Sequence, residues 1–322
     1  MKKIPVIAVV GPTASGKTSL AVEIAKRYNG EVVSADSMQI YEKMNIATAK
    51  PTIDEMCGVP HHLIGFQSID EKFSVAQYVS LATKCIDNIT SRGKIAVLAG
   101  GTGLYVDSLL KNVKFAQESS NQVVRQKITD EFNKMGAEYM LNKLASIDKK
   151  SAEKLHINDK SRIIRALEIY EITGTTKSYR DEISMDDESP YNPIYIGINY
   201  RERNVLYDRI NLRVDIMMKS GLLDESNDFY NISKDTTACG AIGYKELAPY
   251  FNGELSLQEC VENLKKSTRH YAKRQLTWFR KNDDVNWIYR DDYENNQLFC
   301  NDVFKIIDKF LERYGYGTKQ EK

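Results

Sequence analysis

The feature that most constrains this chain is a glycine-rich segment near its start, GPTASGKT at residues 11–18. It fits the pattern GxxxxGK[ST] in full. It follows a continuous apolar run, Ile4–Val10, and it precedes residues 17–28, whose apolar positions have helical spacing. A strand, a phosphate-binding loop and a helix in this order predict an α/β protein with a P-loop NTPase-like parallel sheet flanked by helices.

The loop predicts a binding site for phosphate groups. Its glycines allow backbone N–H groups to surround an oxyanion, and the helix N-terminus adds partial positive charge. Lys17 is placed to reach a terminal phosphate, and the Thr18 hydroxyl is a candidate ligand for Mg²⁺. Such a loop recognises phosphates, so its ligand is either a nucleotide or another diphosphate. The candidate diphosphate-binding residues are Gly11, Thr13, Ala14, Ser15, Gly16, Lys17 and Thr18.

Further along the chain, strands and helices alternate and then give way to helices alone. Predicted strands at residues 31–36 and 94–99 flank a predicted helix at 75–90, as in a parallel sheet with right-handed crossovers. After about residue 112 the periodicity is helical, through 123–144 and 159–172. A strand-like run returns only at 194–199, and further helices are predicted at 201–219, 256–281 and 297–314.

This change of pattern predicts two domains. The P-loop core is expected from residues 1–115 and 191–322, with its C-terminal helices, and a helical insertion is expected at residues 116–190. The insertion ends in an acidic stretch, residues 181–190, which is interpreted as a solvated loop.

Composition excludes several classes of protein. The chain has 45 Lys and Arg against 44 Asp and Glu, so any surface for nucleic acid must come from local clustering. Its five cysteines are scattered without a CxxC pair, which indicates neither a disulfide framework nor a zinc site. The adjacent His61 and His62 lack the spacing of a helical metal pair and are expected to be structural. No signal peptide or membrane span is visible, and a cytoplasmic monomer is expected.

Two more motifs fall at the predicted ends of strands, where open parallel sheets place their sites. Asp36 begins DSMQIY, at residues 36–41, and is either a base that acts on an acceptor or a turn-capping residue. GGTGLY, at 100–105, supplies either a hydroxyl near the phosphates or only a tight turn. An apolar run that ends in a second aspartate, as in ATPases, is missing, so nucleotide hydrolysis is not supported.

With these motifs the chain resembles the tRNA dimethylallyltransferases, also called tRNA isopentenyltransferases, of bacterial type. The resemblance covers nearly the whole chain, and seven motifs in order make it specific. They are GPTASGKT at 11–18, DSMQIY at 36–41, GGTGLY at 100–105, N-D-x-x-R-I-x-R-A-L-E at 158–168, RINLRVD at 209–215, AIGYKE at 241–246 and TRHYAKRQLTWFR at 268–280. Neither Cys nor His follows Cys300, so the zinc finger of eukaryotic members is not expected.

The resemblance implies a reaction and its catalytic residues. The P-loop would hold the diphosphate of dimethylallyl diphosphate, and the acceptor would be the exocyclic N6 of the adenosine directly 3′ of the anticodon in tRNA. Asp36 is implied as the base on that amine. Thr102 and Arg213 are implied at the leaving diphosphate, although Arg209 lies one helical turn from Arg213 and is the alternative. Gln39 would hydrogen-bond the adenine after its extrusion from the stacked loop.

The partner implied is the tRNA anticodon stem-loop. Residues 265–281 contain seven Lys or Arg and no acidic residue, which favours a helix with a basic face toward phosphates and aromatic residues in its core. In the insertion, the resemblance implies RNA contact by arginines on a helix whose Ile163, Leu167 and Tyr170 are expected to pack inward. Ordinary surface charge is the alternative. The candidate tRNA-binding residues are Asp36, Ser37, Met38, Gln39, Thr102, Arg125, Ser161, Arg162, Arg165, Arg269, Lys273, Arg274 and Arg280.

Three other functions compete with this interpretation. An adenylate isopentenyltransferase shares the P-loop chemistry, but its free nucleotide acceptor needs no extended basic surface. A P-loop small-molecule kinase leaves DSMQIY and GGTGLY unexplained. An RNA-binding module with a vestigial P-loop is disfavoured because Lys17, Thr18, Asp36 and Thr102 occur together.

Overall fold

The computed structural model describes residues 2–115, 121–184, 188–230 and 238–316. The chain divides into two compact units, one formed by Met1–Leu110 with Ser189–Lys322 and the other by Lys111–Glu188. The chain leaves the first unit after Leu110 and returns to it at Ser189. These two residues are neighbours, because the Ser189 hydroxyl donates to the carbonyl oxygen of Leu110 at 2.7 Å. Within the described residues, every helix is too short or too polar to cross a membrane.

The first unit is built on a sheet of six parallel strands, which confirms the predicted α/β class. The strands are β1 Ile4–Val10, β2 Gly30–Ser34, β3 His61–His62, β4 Ile95–Gly100, β5 Tyr191–Asn199 and β6 Val285–Tyr289. Their order across the sheet is β3-β2-β4-β1-β5-β6. The central strand β1 pairs with β4 on one side and β5 on the other, and its residues from Val6 to Val10 are buried on both faces.

Helices cover both faces of this sheet. Helix α3 begins at a capping box formed by Ser74 and Gln77, and α13 begins at another formed by Ser256 and Glu259. These boxes explain why both helices start at the residues that the sequence indicated. The helices of the first unit are α1 Lys17–Arg27, α2 Ile53–Met56, α3 Val75–Ser91, α4 Gly103–Leu110, α10 Arg203–Lys219, α11 Leu222–Tyr230, α12 Tyr244–Phe251, α13 Leu257–Phe279 and α14 Asn296–Arg313.

Three large apolar clusters and one smaller cluster hold the described part of the first unit together. Helices α1 and α14 pack on one face of the sheet, for example through Ile24 and Ile307. Helices α3 and α4 pack on the other face, through Ile86 and Leu109. A third cluster joins helices α10 to α13 to the segment that follows Asp36. The smaller cluster, with Ala14, Ile210 and Ala272, joins the loop after β1 to α10 and α13.

The second unit contains only helices among its described residues: α5 Gln122–Met135, α6 Ala137–Ile147, α7 Lys149–Ala152, α8 Lys160–Thr173 and α9 Lys177–Ile183. The helical periodicity predicted through 123–144 corresponds to two helices, because Gly136 takes φ 85° and ψ 166° and separates α5 from α6. Ile163 and Leu167 pack inward as expected, whereas Tyr170 is 38% exposed. The first residues of the predicted acidic loop at 181–190 belong to helix α9, which ends at Ile183. Residues 185–187 of that loop lie outside the described part.

Candidate active site

The loop between β1 and α1 takes its shape from two glycines. Gly11 has φ 145°, and a Cβ atom there would lie 2.5 Å from the carbonyl oxygen of Ile198 in β5. Gly16 has φ 93°, in the left-handed region that glycine enters without steric cost. Glycine is therefore needed at position 11 to pass the neighbouring strand and at position 16 to begin helix α1.

Lys17 and Ser15 are the loop side chains that could bind an anion. The Lys17 side chain is partly buried, and its ammonium donates to the Pro12 carbonyl at 2.6 Å. Burial lowers the pKa of Lys17 to about 7; nearby Arg213 lowers this pKa further, and Asp36 opposes the change. Ser15 is 2% exposed, and no group within the described ranges hydrogen-bonds to its buried hydroxyl. A bound diphosphate would satisfy both groups.

Two arginines of α10 reach the same loop. Arg209 donates to the Ala14 carbonyl at 3.0 Å and lies over the ring of Tyr200. Arg213 approaches the Thr13 hydroxyl at 3.5 Å. Burial lowers the pKa of Arg213, and Asp36 opposes this shift. Because Arg209 is engaged by a backbone carbonyl, the geometry favours Arg213 as the cation directed at a ligand.

Asp36 and Thr102 come together at the ends of β2 and β4. Asp36 Oδ1 accepts from the backbone N–H groups of Met38 at 2.9 Å and Gln39 at 3.3 Å, so this oxygen caps the turn. Thr102 Oγ1 accepts from the Ser37 backbone N–H at 3.0 Å and lies 3.3 Å from the Ser37 hydroxyl. DSMQIY and GGTGLY thus form one polar patch, and turn capping leaves Asp36 Oδ2 for other chemistry.

Gln275 is a site residue that the sequence interpretation missed. Its side chain accepts from the Thr13 backbone N–H at 2.8 Å and donates to the Gly101 carbonyl at 3.0 Å. The residue is 5% exposed, and a Cβ atom on Gly101 would lie 2.0 Å from its amide nitrogen. The Thr13 N–H, predicted to bind diphosphate, is therefore used by Gln275. The sequence offered one signal for this role: Gln275 is a polar residue between Ala272 and Phe279 on the buried face of α13.

The aromatic residues of α13 are predicted to be buried, but Tyr271 and Trp278 are only partly covered. Tyr271 is partly buried beside Thr102 and Gln275. Burial raises the pKa of the Tyr271 hydroxyl, and nearby Asp36 raises it further. Trp278 is 37% exposed, packs against Gly103 and donates to Asp107 at 3.0 Å.

Gln39 and Met38 face inward from the DSMQIY turn. The Gln39 amide nitrogen donates to the carbonyl oxygens of Thr48 at 3.2 Å and Ala49 at 3.1 Å. The Gln39 oxygen lies 3.4 Å from the Ser34 hydroxyl. Met38 packs on the third apolar cluster. The nitrogen of the Gln39 amide is thereby fixed, and among the described residues its oxygen has one long contact, with Ser34.

The predicted basic face of α13 is mostly exposed. Lys273, Arg274 and Arg280 are exposed, and Arg274 lies over the ring of Tyr271. Arg269 is partly buried and donates to the Asn211 side chain at 2.6 Å. Three of these four cations are available to a polyanion.

The candidate RNA-binding residues of the second unit lie on α5 and α8. Ser161 and Arg162 are exposed, and Arg162 lies 3.7 Å from Asp159. Arg125 and Arg165 both contact Glu168, at 3.1 and 2.9 Å. The structure therefore brings these two arginines together through a carboxylate.

A magnesium ion fits the first unit only in the manner of P-loop sites. Among the described residues no group of three or more His, Cys, Asp or Glu side chains could hold a metal. Thr18, in the first turn of α1, would supply one hydroxyl, while diphosphate oxygens and water supply the other ligands. His62 contacts Glu31 at 2.8 Å and His61 contacts the Val59 carbonyl at 2.8 Å.

Comparison with known proteins places this geometry in a family. A family model described as IPP transferase matches residues 39–282. The tRNA dimethylallyltransferase of Acetivibrio thermocellus is 47% identical over 312 residues, 96% of this chain and 98% of that protein. The corresponding protein of a Thermoanaerobacter species is 46% identical over 307 residues, 94% of this chain and 98% of its own.

Solved structures agree. The full-length tRNA isopentenylpyrophosphate transferase of Bacillus halodurans matches with a TM-score of 0.73 and 42% identity, over 98% of this chain and 99% of that one. A eukaryotic dimethylallyltransferase acting on tRNA matches with a TM-score of 0.81 and 28% identity, over 99% of this chain and 81% of that one. These matches confirm the resemblance carried by the seven motifs. The chain belongs to the IPP transferase family, the family of the tRNA dimethylallyltransferases.

Proposed function

We propose that this chain transfers the dimethylallyl group of dimethylallyl diphosphate to N6 of the adenosine directly 3′ of the anticodon in tRNA, with release of diphosphate. One observation carries the proposal: Gln275 joins the P-loop at Thr13 to the GGTGLY turn at Gly101, beside Asp36 and Thr102. A diphosphate site and an acceptor-side carboxylate are thereby held in one rigid arrangement. Family membership and the names of the relatives support the same reaction.

The chemistry follows from the charges at the site. The amine nitrogen forms a bond to the allylic carbon, the C–O bond breaks, and its electron pair leaves with the diphosphate. Lys17, Arg213 and the loop N–H groups stabilise the negative charge that develops there. Asp36 accepts the amine proton on Oδ2, since Oδ1 caps the turn. Mg²⁺ held by Thr18, when bound, neutralises part of the charge of the leaving diphosphate.

The acceptor side of the proposal is the anticodon stem-loop. Exposed cations of α13, Lys273, Arg274 and Arg280, would bind backbone phosphates. Gln39 would accept a hydrogen bond from the extruded base through its amide oxygen, because the amide nitrogen is held by Thr48 and Ala49. We further propose that the protein acts as a monomer in the cytoplasm.

An acceptor panel tests this function. Wild type and Asp36→Asn are supplied with labelled dimethylallyl diphosphate, Mg²⁺ and one of three acceptors: an anticodon stem-loop, AMP or ADP. Label is expected on the stem-loop alone. Asp36→Asn keeps the turn-capping oxygen and removes the base, so we expect transfer to fall about 10²–10⁴-fold with little change in donor affinity.

Each rival function has its own outcome in this panel. Label on AMP or ADP alone would assign the chain to adenylate prenylation. No transfer to any acceptor would return a phosphoryl-transfer function to consideration. Transfer by Asp36→Asn at the wild-type rate would remove Asp36 from the role of base.

A further inference from the structure

A buried carboxylate lies at the interface of α5 and α8 in the second unit. Glu168 has no solvent exposure, although Arg125 and Arg165, which contact it, have side chains exposed by 45% and 39%. Ile164, one turn earlier on α8, and Ile128, one turn after Arg125 on α5, belong to the apolar core beneath. Glu168 therefore lies below the surface, and the two guanidinium groups lie at it.

Both arginines bind the same oxygen atom of this carboxylate. Arg125 and Arg165 donate through Nη1 to Glu168 Oε2 at 3.1 and 2.9 Å. Oε1 is buried and receives no hydrogen bond from the part of the chain that the structure describes. Each guanidinium keeps further N–H groups, because an arginine has five donors in a rigid fork. A single oxygen thus fixes the spacing and direction of two donor groups.

The charges in this cluster do not cancel. Two guanidinium groups share one carboxylate, which leaves one positive charge at a partly exposed surface. Without Glu168, two like charges this close would repel each other and move apart. The neighbouring pair formed by Lys127 and Glu171 is balanced and exposed, so it has no comparable excess.

We propose that Glu168 is a positioning residue, which holds Arg125 and Arg165 as a paired site for one backbone phosphate of the RNA. The proposal rests on the proposed function, because it presumes an RNA substrate. One phosphodiester supplies the single negative charge that the cluster lacks, and its oxygens match the forked donors of arginine. Glu168 itself would not touch the RNA.

Glu168→Gln gives a test in which two explanations predict opposite signs. If only net charge matters, removal of a carboxylate beside two arginines strengthens binding to a polyanion. If Glu168 positions the arginines, binding weakens although the protein has become more positive. Glu171→Gln is the matched control, since it removes the same charge from the same helix at an exposed ion pair.

The readouts are affinity for an anticodon stem-loop across salt concentrations and the KM for each substrate. For Glu168→Gln we expect binding weaker by about tenfold, a salt slope smaller by about one, and an unchanged KM for dimethylallyl diphosphate. Glu171→Gln should bind as well as wild type or more tightly. Binding by Glu168→Gln that equals or exceeds that of wild type would overturn the inference. A wild-type protein that does not bind RNA would instead refute the proposed function.

A second pair of variants keeps the test decisive if Glu168→Gln loses helical circular dichroism. Arg125→Lys and Arg165→Lys preserve both charges and Glu168 but remove the fork. Their combination is expected to weaken RNA binding to a similar extent, and binding equal to that of wild type would overturn the inference. Where Glu168→Gln folds, the effect of Arg165→Lys should be smaller in that background than in wild type, because the two act through one contact.

Discussion

A single amide, Gln275, connects the two loops on which the proposed chemistry depends. Its carbonyl oxygen holds the Thr13 N–H and its nitrogen holds the Gly101 carbonyl. For Gln275→Ala we expect kcat/KM to fall about 10–100-fold, because both backbone groups lose their partner and the loops lose their fixed spacing. Steady-state kinetics with varied donor checks this. Gln258→Ala, at an exposed position of the same helix, is the control, and equal activity of the two variants would contradict the role.

Residue-level prediction succeeded where the signal was local. Lys17 and Thr18 lie inside one contiguous motif, and their position after a strand and before a helix could be read from neighbouring residues. Gln275 could not be found in this way, since its partners Thr13 and Gly101 are 262 and 174 positions distant. The roles of Asp36 and Arg213 came from resemblance to a family, and they remain proposals here.

Among the strands and helices, an ionic cluster connects β2 to β3 at one edge of the sheet. Glu31 in β2 contacts Arg92 at 2.5 Å, Lys94 at 2.8 Å and His62 of β3 at 2.8 Å. Hydrogen bonds from Arg92 lower the pKa of Glu31 well below its usual value near 4.5, although burial opposes this change. The Glu31 side chain is 3% exposed, so removal of its charge would leave its partners poorly satisfied.

This cluster predicts how stability depends on pH. Because the pKa of Glu31 is lower in the folded state, its contribution is complete above about pH 4.5 and is lost as pH falls toward the folded value. For Glu31→Gln we expect the free energy of unfolding at pH 7 to fall by about 1–3 kcal/mol. The difference from wild type should shrink between about pH 4.5 and pH 3. Urea unfolding of both proteins at these values measures it, and a constant difference would contradict the assignment.

The sequence predicts best those strands and helices that have a long, regular pattern of apolar residues. The apolar run Ile4–Val10 and the capped helix α3 gave strong signals. Strand β3 escaped notice because it has only two residues and depends on pairing with β2. Strand β6, which was also missed, lies at the opposite edge of the sheet. The break at Gly136 was missed because apolar spacing continues on both sides of it.

For the whole molecule, the change from alternating strands and helices to helices alone marked the second unit in the sequence. In the structure the second unit comprises residues 111–188, whereas the sequence predicts an insertion at residues 116–190. Position along the chain cannot reveal that Leu110 and Ser189 are hydrogen-bonded neighbours. The chain thus combines an α/β core that carries a P-loop motif with a helical unit that carries its own paired arginines.

On the proposed function, the P-loop of this chain serves alkyl transfer and not phosphoryl transfer. The most direct measurement uses dimethylallyl diphosphate that carries ¹⁴C in the allyl group and ³²P in the diphosphate, incubated with the protein, Mg²⁺ and an anticodon stem-loop. We expect carbon label on adenine in the digested RNA and an equal amount of phosphorus label in free diphosphate. Phosphorus label on the RNA, or diphosphate release without carbon label on adenine, would contradict the account.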